Sequence, residues 1–219
     1  MLCNCNLFIK RHFRLIYIEK CLDGLSGLNV RKTTISNFKT ICKNYEGSFK
    51  KFQQGKGLAL HWRTLSPESQ SGVCSGLSAS FLGLHKIEGK INPSGDTDRF
   101  LMKYSERLAQ YGTMNPRGNI RTFDSAMNSI SVGRSSAIIN CTTATLPKLA
   151  LKSPSSRTFI ATKGHACAAV TDKSKGLYVF FDPNFGYAKL PSSVNFSLFV
   201  KDFFNTGTYS SPFSLIWTK

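Results

Sequence analysis

Between residues 137 and 181 the chain carries a series of short β-favouring runs: Ala137-Ile138-Ile139, Thr158-Phe159-Ile160-Ala161, His165 to Val170, and Leu177-Tyr178-Val179-Phe180-Phe181. Clusters of Pro, Gly and Ser separate them, so they read as strands of an antiparallel sheet. Thr171 to Gly176 is a polar turn, which makes residues 165 to 181 a hairpin. A helix over 193 to 205, with Val194, Leu198, Phe199 and Phe203 as its apolar face, and a last strand at Phe213 to Trp217 follow.

Upstream, the pattern is helical. Val73, Leu77, Phe81, Leu82 and Leu84 predict a helix over 73 to 86, with Ser71 as candidate N-cap. Asp96 caps a second predicted helix over 97 to 111, stopped by Gly112. Residues 113 to 136 read as a long loop holding one short helical turn. Helices followed by antiparallel strands define an α+β domain, and 219 residues suffice for one such domain with its own core.

The net charge of +17 favours contact with polyanions or anionic membranes. It is concentrated at residues 1 to 56, where eleven basic residues face three acidic ones. That segment reads as a basic arm for delivery or localisation, followed by a domain over 57 to 219. The bland reading of the arm, a basic surface strand or helix, carries equal weight. The seven cysteines, Cys3, Cys5, Cys21, Cys42, Cys74, Cys141 and Cys167, are odd in number and make no repeated pair, so neither a disulfide framework nor a metal site is expected. Reduced thiols imply a cytosolic working compartment. No run is long enough to span a bilayer, and charges interrupt any signal-peptide core near the N-terminus.

Three short blocks carry candidate chemistry. In Gly72-Val73-Cys74-Ser75-Gly76 the thiol falls in the first turn of a predicted helix, where the positive dipole end stabilises a thiolate. Taken alone, a cysteine there is more often a small core residue. Gly164-His165-Ala166 opens a strand with an imidazole, and Phe181-Asp182-Pro183 closes the partner strand with a carboxylate. The hairpin brings His165 and Asp182 together across 17 residues. Asp182 then orients the imidazole, whose other nitrogen is left for the proton of Cys74: nucleophile, base and orienter of acyl transfer.

These blocks, with Leu77-Ser78 after the first and Asp182-Pro183-Asn184-Phe185-Gly186 in the third, resemble the signatures of the YopT and AvrPphB cysteine proteases over roughly residues 65 to 219. Phe81 stands where family members usually place Trp. The resemblance implies a papain-like fold, a helix carrying the nucleophile packed on an antiparallel sheet, with Cys74, His165 and Asp182 as catalytic triad. It also implies an effector that bacteria inject into host cytosol by type III secretion, cutting host kinases or small GTPases. The oxyanion hole needs preorganised donors. The backbone N–H of Cys74 is one candidate; the resemblance to papain-like enzymes implies a side-chain amide just upstream of the nucleophile as the second, and Gln70 is the sole Asn or Gln in residues 61 to 73.

Gly55-Lys56-Gly57 resembles part of a self-cleavage site but lacks its Asp, and Leu at position 2 excludes N-myristoylation. The expected enzyme is a monomeric thiol endopeptidase without metal or cofactor, acting on a host protein, with the arm free to meet an anionic membrane and nucleic acid not a partner. Deamidation or transamidation begins with the same thioester and stays open, as does a non-catalytic nucleic-acid- or membrane-binding module built on charge alone.

Overall fold

The computed structural model describes residues 34–54, 74–89, 91 and 119–219. The chain divides into a unit Met1–Arg31 and a unit Lys32–Lys219. In the second unit the described elements are α1 (Ile35–Asn44), β1 (Ser48–Lys51), α2 (Cys74–Glu88), α3 (Ile120–Ser129), β2 (Ile139–Cys141), α4 (Leu146–Ala150), β3 (Arg157–Thr162), β4 (His165–Asp172), β5 (Leu177–Asp182), β6 (Gly186–Leu190), α5 (Ser193–Asn205) and β7 (Phe213–Trp217). The strands form one antiparallel sheet in the order β1-β6-β5-β4-β3-β7-β2. None of the described helices is long and apolar enough to cross a membrane.

Strands β4 and β5 are buried on both faces, so they read as unbroken apolar runs instead of alternating ones. Ala166, Ala168 and Val170 of β4, with Val179 and Phe181 of β5, enter the core shared with α2 and α3. Cys167, Ala169 and Phe180 point into the opposite core, which the aromatic residues of α1 and α5 fill. The small side chains on β4 admit α2 closely at Ser78, while Gly83 of α2 lets Ile130 and Val132 approach from another side. Its buried hydroxyls are satisfied: Ser80 Oγ donates to Gly76 O (2.7 Å) and Ser78 Oγ to Ala166 O (3.1 Å). Phe81 is fully buried and stacks on Phe181 at 4.9 Å.

Two expectations need correction. Residues 120–129, read as loop, form the ten-residue helix α3, capped where Asn119 Oδ1 accepts from Thr122 N (3.1 Å). Its buried stripe of Phe123, Ala126 and Met127 is narrow and set among polar residues, so the periodicity is weak over a short window. The arm boundary at 56 also falls in the wrong place. Residues 35–54 belong to the domain: β1 pairs with β6, Phe38 is fully buried, and Asn195 Nδ2 of α5 donates to Tyr45 O (2.9 Å). Gly186 permits this docking. Its φ is +129°, and a Cβ there would stand 2.1 Å from Lys50 O.

Smaller differences follow the same logic. The helix at 193–205 is present, but Val194 and Leu198 are exposed while Phe196, Phe199, Val200 and Phe203 are buried. The first expected strand lies two residues further on, at Ile139–Cys141. The predicted helix over 97–111, Ser71, Gln70, Gly55 to Gly57 and residues 1–33 lie outside the described residues.

His85, near the C-terminal end of α2, is buried, and neither ring nitrogen has a hydrogen-bond partner. Burial first, and then the positive charges of Arg157 and Lys175 against the opposing Asp172, push its pKa down from 6.5 to about 4. The folded state therefore holds this imidazole neutral, whereas the unfolded chain protonates it near pH 6.5. Stability contributed by neutral His85 is complete above pH 6.5 and is lost as pH falls towards 4. Thermal melting across that range should show a declining Tm in the native protein and a flatter profile in His85→Gln; an identical decline in both would overturn the assignment.

Candidate active site

Cys74 opens α2 and lies at the helix end where unpaired backbone N–H groups gather. His165 opens β4 directly after a tight turn at Lys163-Gly164, with Gly164 at φ +77°. Asp182 closes β5. Because Ala168 pairs with Phe181, continuing the register sets Asp182 across from Cys167, with His165 on the diagonal. His165 Nε2 nonetheless reaches Asp182 Oδ1 at 3.1 Å, and Cys167 Sγ donates to Asp182 Oδ2 at 3.3 Å.

The carboxylate is fully buried and amply compensated. Oδ1 also accepts from Asn184 N (2.8 Å), which closes the Asp182-Pro183-Asn184-Phe185 turn from within, while Oδ2 also accepts from Tyr209 OH (2.9 Å). A carboxylate that only accepts assigns the hydrogen to His165 Nε2, leaving Nδ1 for the thiol. The charge and side chain of His165 and the backbone of Ala166 both act on Cys74 to favour its ionised form.

Electrostatics separate the cysteines. Burial opposes ionisation of Cys74, but the charge of His165, its hydrogen bond and the Ala166 amide outweigh it, so the pKa lies below the ordinary thiol value. Burial likewise opposes protonation of His165, yet Asp182 and the thiol charges raise its pKa well above the usual imidazole value. Both shifts act in the direction of a thiolate–imidazolium pair. Cys167 goes the other way: burial and then the neighbouring Asp182 charge hold it protonated. Burial pushes Cys42 up to about 11.

All three residues expected to form the triad thus converge. Gln70 lies outside the described residues, and Cys74 N–H sits at the helix start where an oxyanion donor is wanted. Among the described residues, the group able to offer three metal ligands is His165, Cys167 and Asp182, all buried, with ligand atoms within 4.8 Å of one another. Both His165 and Cys167 already donate to Asp182. Sequence reasoning missed Cys167, Asn184 and Tyr209 as members of this cluster. The strand register carries the signal for Cys167, since it faces the end of β5. Tyr209, between α5 and β7, belongs to no motif.

The fold is similar to the crystal structure of the Pseudomonas avirulence protein AvrPphB, with a TM-score of 0.52, 14% identity, and coverage of 71% of this chain and 95% of that one. It is also similar to PatoxP, a cysteine protease-like domain of the Photorhabdus asymbiotica toxin PaTox, with a TM-score of 0.50 and 14% identity. That alignment covers 84% of this chain and 57% of the other. These likenesses bear out the papain-like α+β fold, with the Cys74 helix packed on an antiparallel sheet. No curated protein matches the chain. The model of the peptidase C58 family, described as Yersinia/Haemophilus virulence surface antigen, matches residues 103–214, which include His165, Asp182 and Tyr209. With half of its length so matched, the chain belongs to the peptidase C58 family.

Proposed function

We propose that the protein is a cysteine endopeptidase, with Cys74 as nucleophile, His165 as acid and base, and Asp182 as the group that orients the imidazole. The observation that carries this reading is the convergence of three elements: Cys74 opens a helix, and His165 at the start of β4 is held 3.1 Å from the buried carboxylate of Asp182 at the end of β5. The Cys74 thiolate attacks the scissile carbonyl. His165 then gives its Nδ1 proton to the leaving amine, the C–N bond breaks and a thioester remains. Water, deprotonated by His165, attacks the thioester, releasing the acid product and regenerating the thiol. Negative charge on the tetrahedral oxygen is met by Cys74 N–H and, in this reading, by Gln70.

The substrate is a host protein, and the enzyme is a monomeric bacterial effector delivered by type III secretion to host cytosol. Kinases and small GTPases are the two substrate classes the family likeness suggests. A chain at +17 repels polybasic tails, which favours the less basic class. The segment upstream of Lys32, rather than of residue 57, is the part of the basic arm left to meet an anionic membrane.

Deamidation shares the thioester, and mass tells the two apart. Intact-mass analysis of host proteins after incubation should show two fragments from one chain, absent with Cys74→Ala. An unbroken substrate shifted by about one dalton, the outcome of thioester hydrolysis at a side-chain amide, would replace protease with deamidase.

A further inference from the structure

We propose that Tyr209 is a positioning residue of this site, fixing Asp182 and the ring of His165 together, and that Asn184 and Gln54 carry the same constraint out to the residues that follow the edge strand β1. The proposal rests on the reading of Cys74 and His165 as a nucleophile–base pair. Tyr209 touches the triad in two ways. Its ring lies parallel to the His165 ring, with centroids 4.6 Å apart and planes within 9°. Its hydroxyl donates to Asp182 Oδ2 at 2.9 Å.

Each contact supplies something the triad lacks by itself. A single hydrogen bond from Nε2 to Oδ1 holds one point of the imidazole and leaves the ring free to swing about that point. A parallel aromatic face removes the swing, and a protonated imidazole over a phenol ring gains electrostatic attraction as well. The carboxylate has its own freedom, since Asn184 N and His165 both bind Oδ1. Tyr209 OH and Cys167 Sγ occupy Oδ2 and stop it from turning.

The hydroxyl of Tyr209 is itself held. Asn184 Nδ2 donates to it at 3.3 Å, Gln54 Nε2 donates to Asn184 Oδ1 at 2.6 Å, and Gln54 N donates to Pro183 O at 2.8 Å. A hydroxyl that accepts one bond and donates the next polarises along the chain, so the members act together. Gln54 lies three residues past the end of β1, in sequence upstream of the nucleophile. The motif residue Asn184 therefore has two roles: its backbone closes the Asp182 turn, and its side chain joins Tyr209 to the segment after β1.

Residue-resolved alkylation of Cys74 in the full chain, over a pH series, tests this without a known substrate. Tyr209→Phe keeps the ring and removes the donor. It should slow alkylation at neutral pH roughly tenfold, the scale of one hydrogen bond to a charged group, and move the pH midpoint upward towards that of an ordinary thiol. Its Tm should stay near that of the native protein, and Tyr209→Leu, which also loses the stack, should be slower still. In Asp182→Asn, adding Tyr209→Phe should cost little more, because Tyr209 acts through Asp182. Asn184→Ala, with Tyr209 intact, should move the midpoint in the same direction by less. Unshifted midpoints in both Tyr209→Phe and Asn184→Ala, or losses that multiply in the double variant, overturn the proposal. A native Cys74 no more reactive than Cys42 overturns the nucleophile–base reading and this proposal with it.

Discussion

Replacing Cys74 by Ala should abolish proteolysis, and replacing His165 by Ala should lower turnover by about 10³-fold or more, with little further loss in the double variant. The expectation follows from the proposed mechanism, in which one imidazole both stabilises the thiolate and supplies the proton for the leaving group, so that removing either partner removes the function of both. Asp182→Asn is the sharper variant. An amide can donate as well as accept, so it no longer dictates which nitrogen of His165 carries hydrogen, and turnover should fall by up to about 10⁴-fold. The fully buried site also keeps only one accepting oxygen for four donors, His165, Asn184 N, Cys167 and Tyr209. Initial rates on a cleaved host protein, measured for the three singles and the Cys74/His165 double, check this. Losses that multiply would mean that the residues act separately.

The second large effect is structural. Phe38→Ala should destabilise the domain by about 3–5 kcal/mol, the range for removing a fully buried aromatic side chain. Phe38 is fully buried, stacks on Phe185 at 5.6 Å and meets Phe199 and Phe203 edge-on at 5.3 and 5.2 Å. Collapse around the resulting cavity is resisted because these partners sit on different elements: the Asp182 turn and α5. Denaturant unfolding measures the loss. A change within about 0.5 kcal/mol, the scale of an ordinary surface substitution, would show that α1 is peripheral and would restore the arm boundary at 56.

What the sequence makes legible here follows from how strongly local pattern and final environment agree. The hairpin from His165 to Asp182 and the strand at Phe213–Trp217 are apolar or small-residue runs bounded by turn residues, and they form where the pattern places them. The helix of Cys74 is legible because its apolar residues are dense, although its burial on nearly every side comes from β3, β4, β5 and the Ile130–Val132 segment together, which a single-segment reading does not weigh. Elements whose own pattern is weak are the ones missed: the narrow-striped helix α3, and a strand that only its distant partner completes. Strand β1 is a short, Lys-containing segment whose identity as a strand depends on Gly186 lying 135 residues away in the chain, and basic composition disguised it as an arm. The same holds at the site. Cys74, His165 and Asp182 carry motif context, whereas Tyr209 enters only because the turn after α5 carries it over the imidazole, a tertiary fact with no local signature. Gly186, quoted as the last letter of a motif, serves the docking of β1 and not the chemistry.

The central claim is that His165 favours the thiolate of Cys74 while burial keeps Cys42 and Cys167 protonated. Brief exposure of the native, full-length protein to iodoacetamide near pH 6, followed by residue-resolved mass spectrometry, measures this directly. Ordinary thiols, with pKa values near 8.5, are almost wholly protonated and slow under these conditions. The account predicts rapid labelling of Cys74, negligible labelling of Cys42 and Cys167, and loss of the fast phase in His165→Ala. Labelling of Cys74 no faster than the other two, or a fast phase that survives without His165, would contradict it.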